Sequence, residues 1–343
     1  MEVMLNTLYV TTAGAYVHRD GSTLKVEVEK VERLRVPIHH LESVVAFNQV
    51  LVSPGAMSLM VEHGVALTYL SYTGRLVARV DAPVSGNVLL RRKQFRLADD
   101  PVGSLALARN CVAGKIQNAR NNLMRGAREA EAAEAREHLV GVGQKLANHL
   151  GHVERAKGMD ELRGHEGIAA KDYFEALPEL IRKQREDFKF EGRNRRPPRD
   201  SVNALLSFVY ALLLHDCVAA LSAAGLDPNV GFLHADRPGK PSLALDLMEE
   251  FRPALADRLT LSLINRKQVQ SVGFSLREGG GVEMDDATRK SVISAWQERK
   301  QESLTHPLLE QECRIGQLPF LQAKLMARVI RGDDEFYIPY LAG

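Results

Sequence analysis

The chain has 343 residues, 45% of them hydrophobic and 26% charged, enough for about two domains because a single hydrophobic core stops growing near 250–300 residues. This composition excludes disordered and collagen-like chains, and three widely spaced cysteines, Cys111, Cys217 and Cys313, exclude a disulfide scaffold or a zinc ribbon and read as buried free thiols. A formal net charge of +2 says nothing by itself about partners.

The first eighty or so residues read as strands. Leu24, Val26 and Val28 alternate with charged residues, Leu34, Val36 and Ile38 repeat that spacing, and residues 65–70 form a short apolar run. Turns are expected at Asp20-Gly21, Ser53-Pro54-Gly55 and Thr73-Gly74, with one short helix at 56–62. Residues 83–87, Pro-Val-Ser-Gly-Asn, mark a change of composition, after which Leu105, Val112, Ile116, Leu123 and Met124, then Leu139, Val142, Leu146 and Leu150, fall on helical stripes. The predicted class is α+β: a small N-terminal β domain over 1–87 and a larger all-α domain over 88–343. The uncharged stretches 43–61 and 201–214 do not read as membrane spans, since the first contains Asn48, Gln49, Pro54 and Gly55 and the second is short. The start, Met-Glu-Val-Met, lacks the features of a signal peptide, so a cytoplasmic location is expected.

Charge is unevenly distributed. Between 91 and 128 lie nine basic residues, among them Arg109, Lys115, Arg120 and Arg125, against only Asp99 and Asp100. Asn110, Asn118, Asn121 and Asn122 are interleaved, a mixture suited to phosphate and sugar contacts. A second cluster, Arg193, Arg195, Arg196 and Arg199, surrounds Pro197-Pro198. Two cationic segments with few aromatics favour contact with a duplex backbone over base stacking.

Motifs for acyl transfer and nucleotide hydrolysis are absent: there is no GxSxG elbow and no P-loop, and Gly279-Gly280-Gly281 reads as a loop. Residues 231–241 form a turn-rich loop ahead of a helix for which Ser242 is the expected N-cap. Asp246 and Glu249, three apart, share one face of that helix, with Leu243, Leu247 and Phe251 available to the core. Neighbouring acids on an apolar helix call for a cation, either a metal approached by His234 or a side chain such as Arg252 or Arg237, and the segment alone favours the ion pair. Glu166 is followed by small residues that permit close approach, and Tyr173 lies along the same helical face. His165 points elsewhere and reads as structural. Two carboxylates and one imidazole suit Mg²⁺ or Mn²⁺ better than Zn²⁺.

Three runs carry a resemblance: Leu162-Arg163-Gly164-His165-Glu166-Gly167 through Tyr173, Arg195-Arg196-Pro197-Pro198-Arg199-Asp200-Ser201 through Phe208, and Gly231-Phe232-Leu233-His234 through Glu250. Ser85 through Arg92, Leu263 through Lys267 and Ala295-Trp296-Gln297 extend it over nearly the whole chain. With these the sequence resembles the CRISPR-associated integrase and endonuclease family that captures new spacers, the first-numbered Cas proteins, and most of all their type I-C branch. The resemblance implies a dimerising β domain, a helical catalytic domain, a homodimer, double-stranded DNA as substrate and the small second-numbered Cas protein as partner. It implies metal ligation by Glu166, His234 and Glu249, with Asp246 as another functional acid, and metal-dependent phosphodiester hydrolysis and strand transfer. Competing readings are a non-catalytic DNA-binding scaffold and a structure-specific repair nuclease.

Overall fold

Period-two alternation builds the first part of the chain into two four-stranded sheets. The computed structural model describes residues 7–41, 43–47, 49–71, 76–80, 88–195 and 197–343. One sheet joins β1 (Thr7–Val10), β5 (Ser43–Phe47), β7 (Ala66–Leu70) and β8 (Leu76–Val80) in the order β1-β5-β7-β8. The other joins β2 (Tyr16–Asp20), β3 (Thr23–Val28), β4 (Val31–Pro37) and β6 (Leu51–Val52) in the order β4-β3-β2-β6. The short helix α1 (Pro54–Glu62) starts two residues earlier than predicted, because Ser53 caps it by accepting from Ala56 N–H and Pro54 suits a first helical position.

Strand β5 shows how the two regions meet. All five of its residues are buried, the mark of a strand covered on both faces. Val44 and Ala46 join a small core with Val17, Leu24, Leu59 and Leu67. Val45 and Phe47, on the opposite face, belong with Leu70 to the main helical core, where the Phe47 and Phe208 rings lie 6.2 Å apart. The expected boundary at 83–87 lies outside the described residues.

The remainder is mostly helical: α2 (Val88–Asp99), α3 (Pro101–Glu129), α4 (Ala133–Arg155), α5 (Met159–Ala176), α6 (Ser201–Ala223), α7 (Ser242–Phe251), α8 (Arg258–Asn265), α9 (Asp286–Gln301) and α10 (Leu318–Arg331). Asp100 breaks the basic segment into two helices by capping α3, its carboxylate accepting from Val102 and Gly103 N–H. The helix that begins with the uncharged run at 201 continues past His215 and Asp216 to Ala223, giving α6 the length and composition of a membrane-crossing helix; 72% of its most apolar window is buried inside the protein, as a central core helix. Two short antiparallel pairs, β9 (Phe274–Leu276) with β10 (Val282–Met284) and β11 (Ser303–Thr305) with β12 (Glu312–Arg314), were not expected in an all-helical region. The glycine run is the turn of the first pair, with Gly279 and Gly280 at φ 101° and 79°. Cys111 and Cys217 are buried as expected, whereas Cys313 is only partly so.

Candidate active site

Helix α7 buries Leu243, Leu247 and Phe251 completely, which fixes where its acids point. Asp246, equally buried, is wrapped by the preceding loop: its carboxylate accepts from the backbone N–H groups of Phe232, Leu233 and His234 at 2.6, 3.0 and 3.0 Å. The fourth partner is His234 Nδ1, at 2.6 Å from Oδ1. A carboxylate there makes Nδ1 a proton-bearing nitrogen and directs Nε2 toward Glu249. Gly231 permits this wrapping, since a Cβ would come within 2.8 Å of the Ser242 backbone and 2.9 Å of Asp246 Oδ2. Ser242 is not the N-cap expected of it; Pro241 takes that position, and the Ser242 hydroxyl donates to Ala235 C=O at 3.1 Å, tying the loop to the helix.

Glu249, one turn further along, is 1% exposed and meets two cations. Arg252 Nη1 donates to its Oε1 at 2.5 Å, and Lys115 Nζ, from α3, lies 2.7 Å from Oε2. Burial pushes the Glu249 carboxyl up, but the Arg252 and Lys115 charges overcome it and hold it at about 2. Lys115 also pairs with Glu166 of α5, and His234 Nε2 stands 3.8 Å from Glu249 Oε1. Glu166, His234 and Glu249 are thus brought into one cleft from three separate segments, with Asp246 behind the imidazole and both its oxygens occupied.

Tyr173, expected on the Glu166 face, anchors α5. Its hydroxyl and that of Tyr210 donate to Asp257 at 3.0 and 2.7 Å, and burial pushes the Asp257 carboxyl up to about 6. Asp257 ends a π-helical segment, Arg252–Asp257, that follows α7. The guanidinium groups of Arg193 and Arg252 lie 5.3 and 5.5 Å from the Tyr210 ring centre, so this network also aims Arg252 at Glu249.

The basic segments are less uniform than their sequence. Lys115 lies among acids instead of on an open cationic face. Arg109 is partly buried and donates to Ala156 C=O, Arg120 is partly buried, and Arg125 is exposed beside Glu129. Asn118, Asn121 and Asn122 do not face outward as the sequence suggested. Asn118 donates to Glu250 and Tyr340 C=O and accepts from Ala342 N–H, all at 2.8 Å, Asn121 donates to Ala342 C=O at 2.6 Å, and Asn122 donates to Pro253 C=O at 2.7 Å. They hold the end of the chain and the segment after α7 onto α3. Arg193 turns inward onto Asn203 and Ser207, Arg195 is exposed, and Arg196 lies outside the described residues. His165 packs against His152, their rings parallel with centres 4.9 Å apart.

Sequence reasoning missed the placement of Lys115 and the importance of Tyr210. A signal existed for the first: Cys111, Lys115, Asn118 and Asn122 recur at the four-three-four spacing of a buried helical stripe, where polar residues must find internal partners.

The donor set fits a hard divalent cation. Glu249, with Lys115 beside Oε2 and Arg252 on Oε1, lies close to His234 Nε2 and shares Lys115 with the Glu166 carboxylate. Among the described residues no three histidine, cysteine or carboxylate side chains already converge in a metal-holding arrangement; Lys115 stands between two of the candidates.

The family model described as CRISPR associated protein Cas1 matches residues 8–298. The chain is 46% identical over 341 residues to the CRISPR-associated endonuclease Cas1 1 of Moorella thermoacetica, covering 99% of each. Among solved structures, a casposase bound to integration product superposes with a TM-score of 0.83 at 21% identity, covering 97% of this chain and 93% of that one. A chain of a Cas6-RT-Cas1–Cas2 complex gives 0.84 at 22% identity, covering 99% of this chain and 36% of its own. These two likenesses establish the fold.

Proposed function

The chain belongs to the CRISPR-associated Cas1 family, and we propose from that premise that its cleft catalyses metal-dependent phosphodiester hydrolysis and strand transfer, inserting captured DNA fragments into a CRISPR array. The observation that carries this reading is that Glu166, His234 and Glu249, from three separate segments, meet around the buried Glu249 carboxylate and the Lys115 ammonium. The endonuclease name of the Moorella relative and the integration product of the casposase support it.

Glu166, His234 and Glu249 would hold Mg²⁺ or Mn²⁺, which supplies charge stabilisation at the non-bridging and leaving oxygens of the attacked phosphate. The chain's own residues set up that chemistry. Asp246 keeps the proton on His234 Nδ1 and aims Nε2 into the cleft. Arg252 fixes the Glu249 carboxylate, while Tyr210 and Asp257 fix Arg252. In strand transfer a DNA 3′-hydroxyl attacks a phosphodiester of the repeat, so one phosphodiester replaces another and no nucleotide hydrolysis is needed, in keeping with the lack of a P-loop motif. Water in place of the hydroxyl gives nuclease activity. Arg125 and Arg195, the exposed members among the cations named from the sequence and described in the structure, are proposed to track the DNA backbone.

The β region over 1–87 is proposed to form the homodimer. Its support is the outer strand β4, which presents an edge with Val31 and Leu34 exposed. The small Cas2 protein is the proposed partner, by likeness to the family.

The test mixes the protein with its Cas2 partner, a short duplex bearing free 3′ ends and a supercoiled plasmid carrying leader and repeat, in Mn²⁺ or chelator. Joined products from wild type in Mn²⁺, absent with Glu166→Ala and His234→Ala, are expected. Metal-independent DNA binding with no joined product would leave a scaffold, and cleavage of branched DNA without joining would leave a repair-type nuclease.

A further inference from the structure

Arg252 already neutralises Glu249, yet Lys115 pairs with the same carboxylate and with Glu166 as well. One buried acid therefore carries two cations, and the second occupies the gap between two of the groups proposed above to hold the metal. The Lys115 side chain is only 12% exposed, so its charge is poorly screened. A divalent ion placed on the same two carboxylates meets strong repulsion from the ammonium. Charge balance adds to this: Glu166, Glu249 and Asp246 against Lys115 and Arg252 give the site a formal charge of −1, and a divalent ion turns it to +1. The polyanion that restores balance is the DNA backbone. A cavity of about 30 Å³, lined in part by Lys115, Ala170, Arg195, Tyr210 and Arg252, adjoins the lysine.

We infer that Lys115 is a resident counter-cation: it holds Glu166 and Glu249 together before metal binds, yields them to a divalent ion, and then pairs with a DNA phosphate, so that metal and DNA load cooperatively. This inference rests on the metal-binding reading of the cleft. It makes Lys115 a positioning and coupling residue whose effect is visible in binding, apart from catalysis.

The experiment follows Mn²⁺ binding to the intact protein by the electron paramagnetic resonance signal of the free ion, with and without a short duplex. In wild type the duplex raises Mn²⁺ affinity, on the order of ten-fold. Lys115→Met binds Mn²⁺ on the order of ten-fold tighter than wild type without DNA and gains little from the duplex. Lys115→Gln, close in length and still polar, repeats the comparison if the methionine variant fails to fold. Glu166→Ala separates the two levels of argument. If it weakens Mn²⁺ binding while both Lys115 variants bind no tighter than wild type, the metal reading stands and the counter-cation is overturned. If Glu166→Ala leaves Mn²⁺ binding unchanged, both fall.

Discussion

Asp246 Oδ1 lies 2.6 Å from His234 Nδ1, and the same carboxylate accepts three consecutive backbone N–H groups of the loop that carries the histidine. One buried acid thus fixes both the loop and the imidazole tautomer. Asp246→Asn keeps the shape but loses the charge and one acceptor oxygen. We expect Mn²⁺ affinity, measured by isothermal titration calorimetry, to fall roughly 10- to 100-fold, as when a residue behind a ligating histidine is changed. Stability should fall by about 1–3 kcal/mol from the hydrogen bonds left unmade.

Glu249 and Glu166 should differ sharply in stability experiments although both serve the proposed site. Removing Glu249 by Glu249→Ala leaves Arg252 facing a cavity inside the protein, a change expected to cost about 3–5 kcal/mol. Glu166, whose side chain is 25% exposed, pairs in a better-solvated position, and Glu166→Ala should cost about 1 kcal/mol or less. Urea denaturation of the two variants compares them directly; equal losses would contradict the buried ion-pair arrangement.

Glu250, beside Glu249, faces the other way. It meets the Tyr337 hydroxyl at 2.8 Å and Tyr340 N–H at 2.7 Å, and burial pushes its carboxyl up to about 8. Below that pH the folded protein keeps a proton that the unfolded chain has already released. Its contribution to stability is therefore fully present at acidic pH and is lost as pH rises toward 8, by about 1.4 kcal/mol per unit. Glu250→Gln mimics the protonated form. The stability difference, variant minus wild type, should rise between pH 6.5 and 8 in paired denaturation curves; a flat difference would place the Glu250 proton elsewhere.

Arg125 and Arg195 provide the test of the DNA track. Replacing each with alanine should flatten the dependence of log affinity on log salt by about 0.9 for every phosphate that the arginine neutralised. Measured on duplexes of two unrelated sequences, the weakening should be the same for both, because phosphate contacts carry no base information. An unchanged slope would return these side chains to an ordinary solvated face.

Much of the candidate site was legible in the chain. Asp246 and Glu249 three residues apart on an apolar helix, His234 in a turn-rich loop before it, and Glu166 amid small residues each carried a local signal. The segment alone favours an ion pair and names Arg252 as one partner, which does pair with Glu249; what the spacing could not show is Lys115, which reaches the cleft from α3, and the Tyr210 and Asp257 network beside Arg252. The asparagines of α3 misled because an amide reads the same beside a phosphate or a backbone carbonyl, and only the docking of the 340–342 segment shows which is present.

The sequence by itself determined the broad order of a strand-rich region before a mostly helical one, since alternation of apolar residues over the first eighty or so and helical spacing thereafter are local properties that fix which faces seek burial. It also marked Glu166, His234, Asp246 and Glu249 as candidate groups. What only tertiary structure decided is how charge is shared among them. Asp246 and Glu249 lie a single turn apart on one helix, yet the loop N–H groups saturate the first, while Arg252, three residues on, and Lys115 of α3 flank the second. A carboxylate's role depends on what lies within about 4 Å of it, and for Glu249 one of those neighbours, Lys115, comes from a distant part of the chain.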